Sequence, residues 1–130
     1  MRKVLSVYRD EPGQAITTMW CEPGVLGITL SYPLAGMGTP PHNHRFDHPT
    51  RCTKGAALVH VGERRVVLHA GDPVLIVPAG VDHSVIALHH DTEVECRHED
   101  PIYHPDKVEA DHLPLEWQHR LTNEVQHAGQ

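Results

Sequence analysis

The chain has 130 residues, 39% of them hydrophobic and only 5% aromatic, with a formal net charge of −6. That length fits one domain with a core of Val, Leu, Ile and Ala that needs no disulfide staples. The negative balance repels phosphate backbones, so nucleic acid is excluded as an expected partner.

No stretch approaches the ~20 apolar residues of a membrane span, and the start, MRKVLSVYRDEPG, lacks a signal-peptide apolar run. Three cysteines, Cys21, Cys52 and Cys96, show no disulfide-type rhythm. The expected setting is therefore reducing and cytoplasmic, with free thiols.

Eleven prolines and ten glycines cut the chain into short pieces, which suits strands and tight turns better than long helices. Residues 15–20 (AITTMW) and 25–32 (VLGITLSY) are rich in β-branched side chains and flank a Glu-Pro-Gly turn; both read as strands. Residues 34–41 form a Gly/Pro stretch leading into HNHRFDHP. GAALVHV and RRVVLHA, joined at Gly62–Glu63, read as a hairpin whose Arg64–Arg65 doublet is a solvated tip.

After a turn at Gly71–Pro73, the apolar run VLIV has the character of a buried strand. Pro78–Gly80 breaks it, and HSVIAL and EVECRH follow. Roughly eight short strands at regular intervals signal an all-β sandwich or barrel. Towards the end, Trp117, Leu121 and Val125 stand at i, i+4 spacing on one face of an expected short helix. The whole of 1–130 reads as one domain, with a C-terminal extension over about 99–130.

Thirteen histidines are the outlying number. His89–His90 reads as an exposed turn, and His60 and His69 as exposed hairpin ends. His98, His104, His112, His119 and His127 lie among acids and prolines and read as solvated.

The chemistry concentrates in His42-Asn-His44-Arg-Phe-Asp47-His48-Pro. On an extended strand, side chains alternate, so His42 and His44 share a face and can meet one metal ion. Pro49 biases His48 towards an extended conformation, from which it can reach the same point. If the turn shifts by one residue, Asp47 supplies a carboxylate instead; by position it is also the nearest candidate general base. Cys52, on the same parity as His48, is a soft ligand, a substrate contact or, on the favoured reading, a small buried hydrophobe. HNHRFDH also resembles the HxHxDH signature of metallo-β-lactamase-like hydrolases, but with one residue too many before the Asp and too short a chain for that fold.

Two wider motifs make the resemblance specific. Gly36, His42, His44 and Gly55 match the first cupin motif, G-x5-H-x-H-x3,4-E-x6-G, with His48 standing where Glu is usual. Gly71, Pro78, Gly80 and His83 match the second, G-x5-P-x-G-x2-H-x3-N, with one extra residue before the proline and Ala87 in place of the Asn. The chain thus resembles a small cupin over core motifs at 36–87.

This resemblance implies a jelly-roll barrel (double-stranded β-helix) holding one divalent ion, Fe, Zn, Ni or Mn, on His42, His44, His48 and His83. All-histidine shells look like those of certain cupin dioxygenases and of four-histidine cupin polyketide cyclases. The implied function is a metal-dependent enzyme acting on a small oxygen-rich organic molecule, foremost a dioxygenase-type oxidoreductase. The alternatives are a non-redox cyclase, isomerase or lyase, or a non-catalytic small-molecule binder. The resemblance further suggests a homodimer.

Overall fold

The structure, a computed structural model, describes residues 1–9, 15–109 and Leu113. The described residues form ten strands and no helix: β1 (Lys3–Arg9), β2 (Ile16–Glu22), β3 (Val25–Tyr32), β4 (Gly38–His42), β5 (His48–Lys54), β6 (Ala56–Val61), β7 (Arg64–His69), β8 (Leu75–Val77), β9 (His83–Ala87) and β10 (Thr92–Glu99). They build a six-stranded sheet in the order β1-β2-β3-β10-β5-β8 and a four-stranded sheet in the order β4-β9-β6-β7. Every pairing is antiparallel. The expected all-β jelly roll is the observed fold. The short C-terminal helix expected around Trp117–Val125 lies outside the described residues.

Side chains alternate across each strand, and the inner positions of the two sheets make one core. Leu26, Ile28, Leu30 and Tyr32 of β3 face Val59 of β6 and Val85 of β9 across it, with Cys52, Val94 and Tyr103 in the same cluster. The core is mostly aliphatic, as the composition requires. On β5 the inward set is His48, Thr50 and Cys52, so one strand carries a candidate ligand and core residues on a single parity.

Two strands were not expected. Among the described residues β1 pairs only with β2, and it leaves Val4 and Val7 exposed, so it lacks the strong apolar signature of a core strand. β4 rises from the Gly/Pro stretch. Its Pro40 and Pro41 are tolerated because β4 is the edge of its sheet, and its register with β9 shifts between Thr39 and His42. His42 and His44 therefore do not lie on one continuous strand: β4 stops at His42 and His44 stands in the following loop.

The sheet order puts two crossings at one end of the barrel. The chain leaves the four-stranded sheet after β4 and enters the other at β5, while between β8 and β9 it crosses back. The Gly80 N–H donates to the His44 carbonyl at 2.7 Å, and the Ala79 N–H donates to Asp47 Oδ1 at 2.6 Å. Asn43 Nδ2 donates to Asp82 Oδ1 at 2.8 Å. Gly80 sits at φ +76°, where any side chain would be strained, which is why glycine follows Pro78–Ala79.

On the outer face of the large sheet, the Trp20 ring lies across Gly27, and its Nε1–H donates to Thr29 Oγ1 at 2.9 Å. A Cβ added at Gly27 would collide with that ring. Gly27→Ala should thus push Trp20 out of its seat and destabilise the protein by about 1–3 kcal/mol, read as a lower urea midpoint. An unchanged midpoint would show that the indole has another place to go.

Candidate metal centre

Four histidines converge where the two crossings meet. His42 ends β4 and His83 opens β9, and they are direct register partners on the four-stranded sheet. His48 opens β5 on the opposite sheet, paired to Val77. His44 comes from the loop between, its backbone pinned by Gly80. The convergence thus draws His42 and His83 from the four-stranded sheet, His48 from the six-stranded sheet and His44 from the connection, rather than two from a single pleat.

The rings pack closely. Centroid separations are 4.1 Å for His42–His83, 4.9 Å for His42–His44, 5.3 Å for His44–His83, 5.1 Å for His44–His48 and 5.0 Å for His48–His83. His42, His44 and His83 each offer a ring nitrogen, and these atoms lie within 4.8 Å of one another. Metal–nitrogen bonds of about 2.0–2.1 Å need nitrogens roughly 3–4 Å apart, so this trio is close to a coordinating arrangement. His48 stands against two of its members. Among the described residues no carboxylate belongs to the group.

Backbone carbonyls set the tautomers. Nδ1 of His42 lies 2.9 Å from the Pro40 carbonyl and Nδ1 of His83 lies 3.2 Å from the Val81 carbonyl. A carbonyl only accepts, so each Nδ1 carries the proton and each Nε2 keeps its lone pair. Histidines that ligate metals are oriented in this way.

His48 is 1% exposed, and among the described residues its ring makes no well-formed hydrogen bond, only a weak contact with the Phe46 backbone. Burial drives its pKa down to about 3, with His83, His44 and His42 adding to the effect and the Phe46 backbone pulling weakly the other way. Burial and His42 also lower His83, against smaller opposing pulls from the Val81 carbonyl and Asp82. Both rings are therefore neutral at ordinary pH, the form that binds metal.

Asp47 is exposed and its carboxylate accepts from the Ala79 amide, so it fastens the loop and is not part of the histidine group. Cys52 is buried and its Sγ–H donates to the Lys54 carbonyl at 3.1 Å, as a small core residue would. His60 is half-buried, with Nδ1 3.3 Å from Ser84 Oγ, rather than an exposed hairpin end.

His98 departs most from expectation. It is not solvated: its ring packs 4.6 Å from Phe46, and its Nδ1 lies 2.8 Å from the Tyr103 hydroxyl. The strand parity it shares with Val94 and Cys96 was the signal that pointed inward, and the acids around it in sequence masked that signal.

A model of the cupin domain family matches residues 30–97, more than half of the chain. No curated protein matches the sequence. Among solved structures, KdgF from Halomonas sp. is similar at a TM-score of 0.62 and 22% identity, over 82% of this chain and 90% of that one. An RmlC-like cupin from Shewanella frigidimarina NCIMB 400 follows at 0.59 and 19%, over 78% and 87%. An oxalate oxidase reaches 0.60 and 17%, over 71% of this chain and 54% of its own. At such identities the likeness is one of fold, and it is the fold that β1–β10 build around the histidines. The family match, the shared jelly roll and the two motifs meeting at one end of the barrel place the chain in the cupin family.

Proposed function

We propose that this cupin is a metal-dependent enzyme that holds one divalent ion on His42, His44, His48 and His83 and acts on a small oxygen-rich organic molecule. The observation that carries the reading is His48. It is a buried imidazole with no well-formed hydrogen bond among the described residues, set against the rings of His44 and His83. An unsatisfied buried polar group costs on the order of 1–3 kcal/mol, and an ion at this point would repay it.

The residues fit a borderline metal. Imidazole suits Fe, Zn, Ni and Cu, and a shell without carboxylate leaves the full charge of the ion uncompensated. That charge favours anionic oxygens, such as an enolate or carboxylate. Bound iron(II) supplies dioxygen chemistry on an enolisable molecule, the leading reading, whereas zinc, nickel or manganese supplies Lewis acidity for cyclisation, isomerisation or elimination. The second reading draws support from the His98–Tyr103 pair beside the site, a proton-handling arrangement that redox chemistry does not require. Phe46, stacked on His44 at 5.3 Å, sets an apolar ring against the site.

Elemental analysis of protein purified without chelator or nickel resin should find one divalent ion per chain. His42→Ala with His44→Ala should lose it, because two of four ligands are gone. Full stoichiometry in that double variant would place the ion elsewhere. The metal found, followed by turnover of enolisable acids with and without dioxygen, divides the two chemistries; no turnover by metal-loaded protein would favour a binding module.

The pH dependence follows from the imidazoles. Free histidine takes up a proton near 6.5, so metal affinity should fall as pH drops from about 6.5 to 5. His48 stays neutral down to about 3, so it adds no proton competition in that window. Fewer than four protons should accordingly be released per metal bound, as measured by calorimetry in buffers of different ionisation enthalpy. Without metal, the unfolded chain protonates His48 near 6.5 but the folded one only near 3. The corresponding stability is complete above about pH 6.5 and is lost progressively towards pH 3. Flat affinity over pH 6.5–5 would count against a histidine shell.

His48→Glu should fold and bind metal, because cupins usually carry glutamate at this motif position. Its negative charge should weaken the Lewis acidity, changing activity more than affinity. His48→Ala should lower affinity at least about tenfold. Asp47→Ala should affect the metal less, acting through the Ala79 contact. The reverse ranking would exchange His48 for Asp47 in the shell.

A further inference from the structure

The four-stranded sheet reaches one step beyond its histidines. His42 stands opposite His83 on one side, and Val61 stands opposite His83 on the other. Carrying both antiparallel registers on by one residue puts Asn43 and Gly62 on either side of Asp82. Both of these next rungs are made. Asn43 Nδ2 donates to Asp82 Oδ1 at 2.8 Å, and the Gly62 N–H donates to the Asp82 carbonyl at 2.8 Å. Asp82 thus joins three segments: the connection after β4, the β6–β7 turn and the connection before β9.

The two rungs continue ladders of different quality. On the Gly62 side, β6 and β9 pair without interruption from Ala57 opposite Ala87 to Val61 opposite His83. On the Asn43 side the ladder is broken. Pro40 and Pro41 have no N–H to give, and the β4–β9 register shifts between Thr39 and His42. The end of β4, with His42 on it, is therefore held to β9 less regularly than β6 is. A side-chain bond placed directly after His42 and directly before His44 makes up that deficit where the histidines stand.

We infer that Asn43 and Asp82 are positioning residues of the histidine cluster: their hydrogen bond fixes the His42–His44 side against His83, so the shell is set before an ion enters. This rests on the metal reading above. Neither residue belongs to the histidine group itself, and each acts through the histidine next to it in the chain.

The test titrates the full chain with cobalt(II), whose visible spectrum reports on the metal shell, at low ionic strength. Asn43→Asp loses the donor and sets two carboxylates face to face. Asp82→Asn keeps a donor and an acceptor in the pair. Asn43→Asp combined with Asp82→Asn reverses the direction of the bond at unchanged net charge. The expected result is about fivefold weaker cobalt binding and an altered cobalt spectrum in Asn43→Asp. Asp82→Asn and the combined variant should stay within about twofold of wild type. Asn43→Ala, which loses the donor without adding charge, should show the same spectral change with a smaller loss of affinity.

Plain charge attraction predicts other signs: a carboxylate added near a cation tightens binding in Asn43→Asp, and one removed weakens it in Asp82→Asn. A merely structural role predicts a lower urea midpoint for metal-free Asn43→Asp with cobalt affinity and spectrum unchanged. Either pattern, or a combined variant no better than Asn43→Asp, would overturn the inference. Should Asn43→Asp not fold, an unchanged cobalt spectrum in Asn43→Ala would overturn it equally. Failure of the wild type itself to take up cobalt would instead overturn the metal reading, and this inference with it.

Discussion

The Gly80 amide, donated to the His44 carbonyl at 2.7 Å, ties two chain crossings that would otherwise be independent loops. One connects β4 to β5 and carries His44; the other connects β8 to β9 and ends at His83. Each loop alone offers its histidines only a direction, and the tie turns these into a common point. Because it joins backbone to backbone, it depends on no side chain except the absent one at Gly80, whose φ of +76° would strain a residue with a Cβ. The Ala79–Asp47 and Asn43–Asp82 bonds brace the same junction from either side. The one loop histidine, His44, is thereby fixed beside the three that stand on strands, His42, His48 and His83.

The way this fold treats its buried polar groups gives the cluster its meaning. Glu95, 4% exposed on the outer side of the large sheet, is answered by Arg51 at 3.3 Å, Arg97 at 3.5 Å and Arg2 at 3.9 Å. Thr92, 1% exposed, donates to the Ala56 and His89 carbonyls. Buried Trp20 has its indole N–H on Thr29. His48 is as buried as any of these, yet among the described residues its ring has only a weak contact with the Phe46 backbone. Imidazoles gathered at one point, with no carboxylate among them in the described residues, are the donor set that the proposed ion would use.

Much of this was legible in the residues. The β-branched runs, their turn glycines and the inward parity of His48 and Cys52 all follow from period-two patterning. The motif spacing from Gly36 to Ala87 was enough to anticipate both the barrel and the histidines that would meet in it. Two kinds of information were not legible. Strand β4 is written in Gly38-Thr-Pro-Pro-His42, a composition that reads as a loop and becomes a strand only because a sheet edge has no second ladder for its prolines to break. His98 is the second case. Its environment is made by Phe46 and Tyr103, one distant in sequence and the other beyond the end of β10, while its immediate neighbours are the exposed Glu99 and Asp100.

Phe46 joins these two levels. It is the only phenylalanine in a chain whose core is otherwise mostly aliphatic, and it stands at the histidine cluster rather than deep in the barrel. A ring in contact with His44, His48 and His98 displaces water where a charged ion and an anionic ligand would meet. Removing that water lowers the local dielectric, and the attraction between opposite charges grows in inverse proportion. A shell of neutral imidazoles with no carboxylate leaves that attraction undivided, since no protein charge competes with the ligand for the ion. The exchange of glutamate for His48 and the apolar wall of Phe46 thus act in the same direction. On the proposed reading, each would strengthen the pull of the site on a small anionic oxygen ligand, the first by leaving the ion its charge and the second by setting an apolar ring beside it.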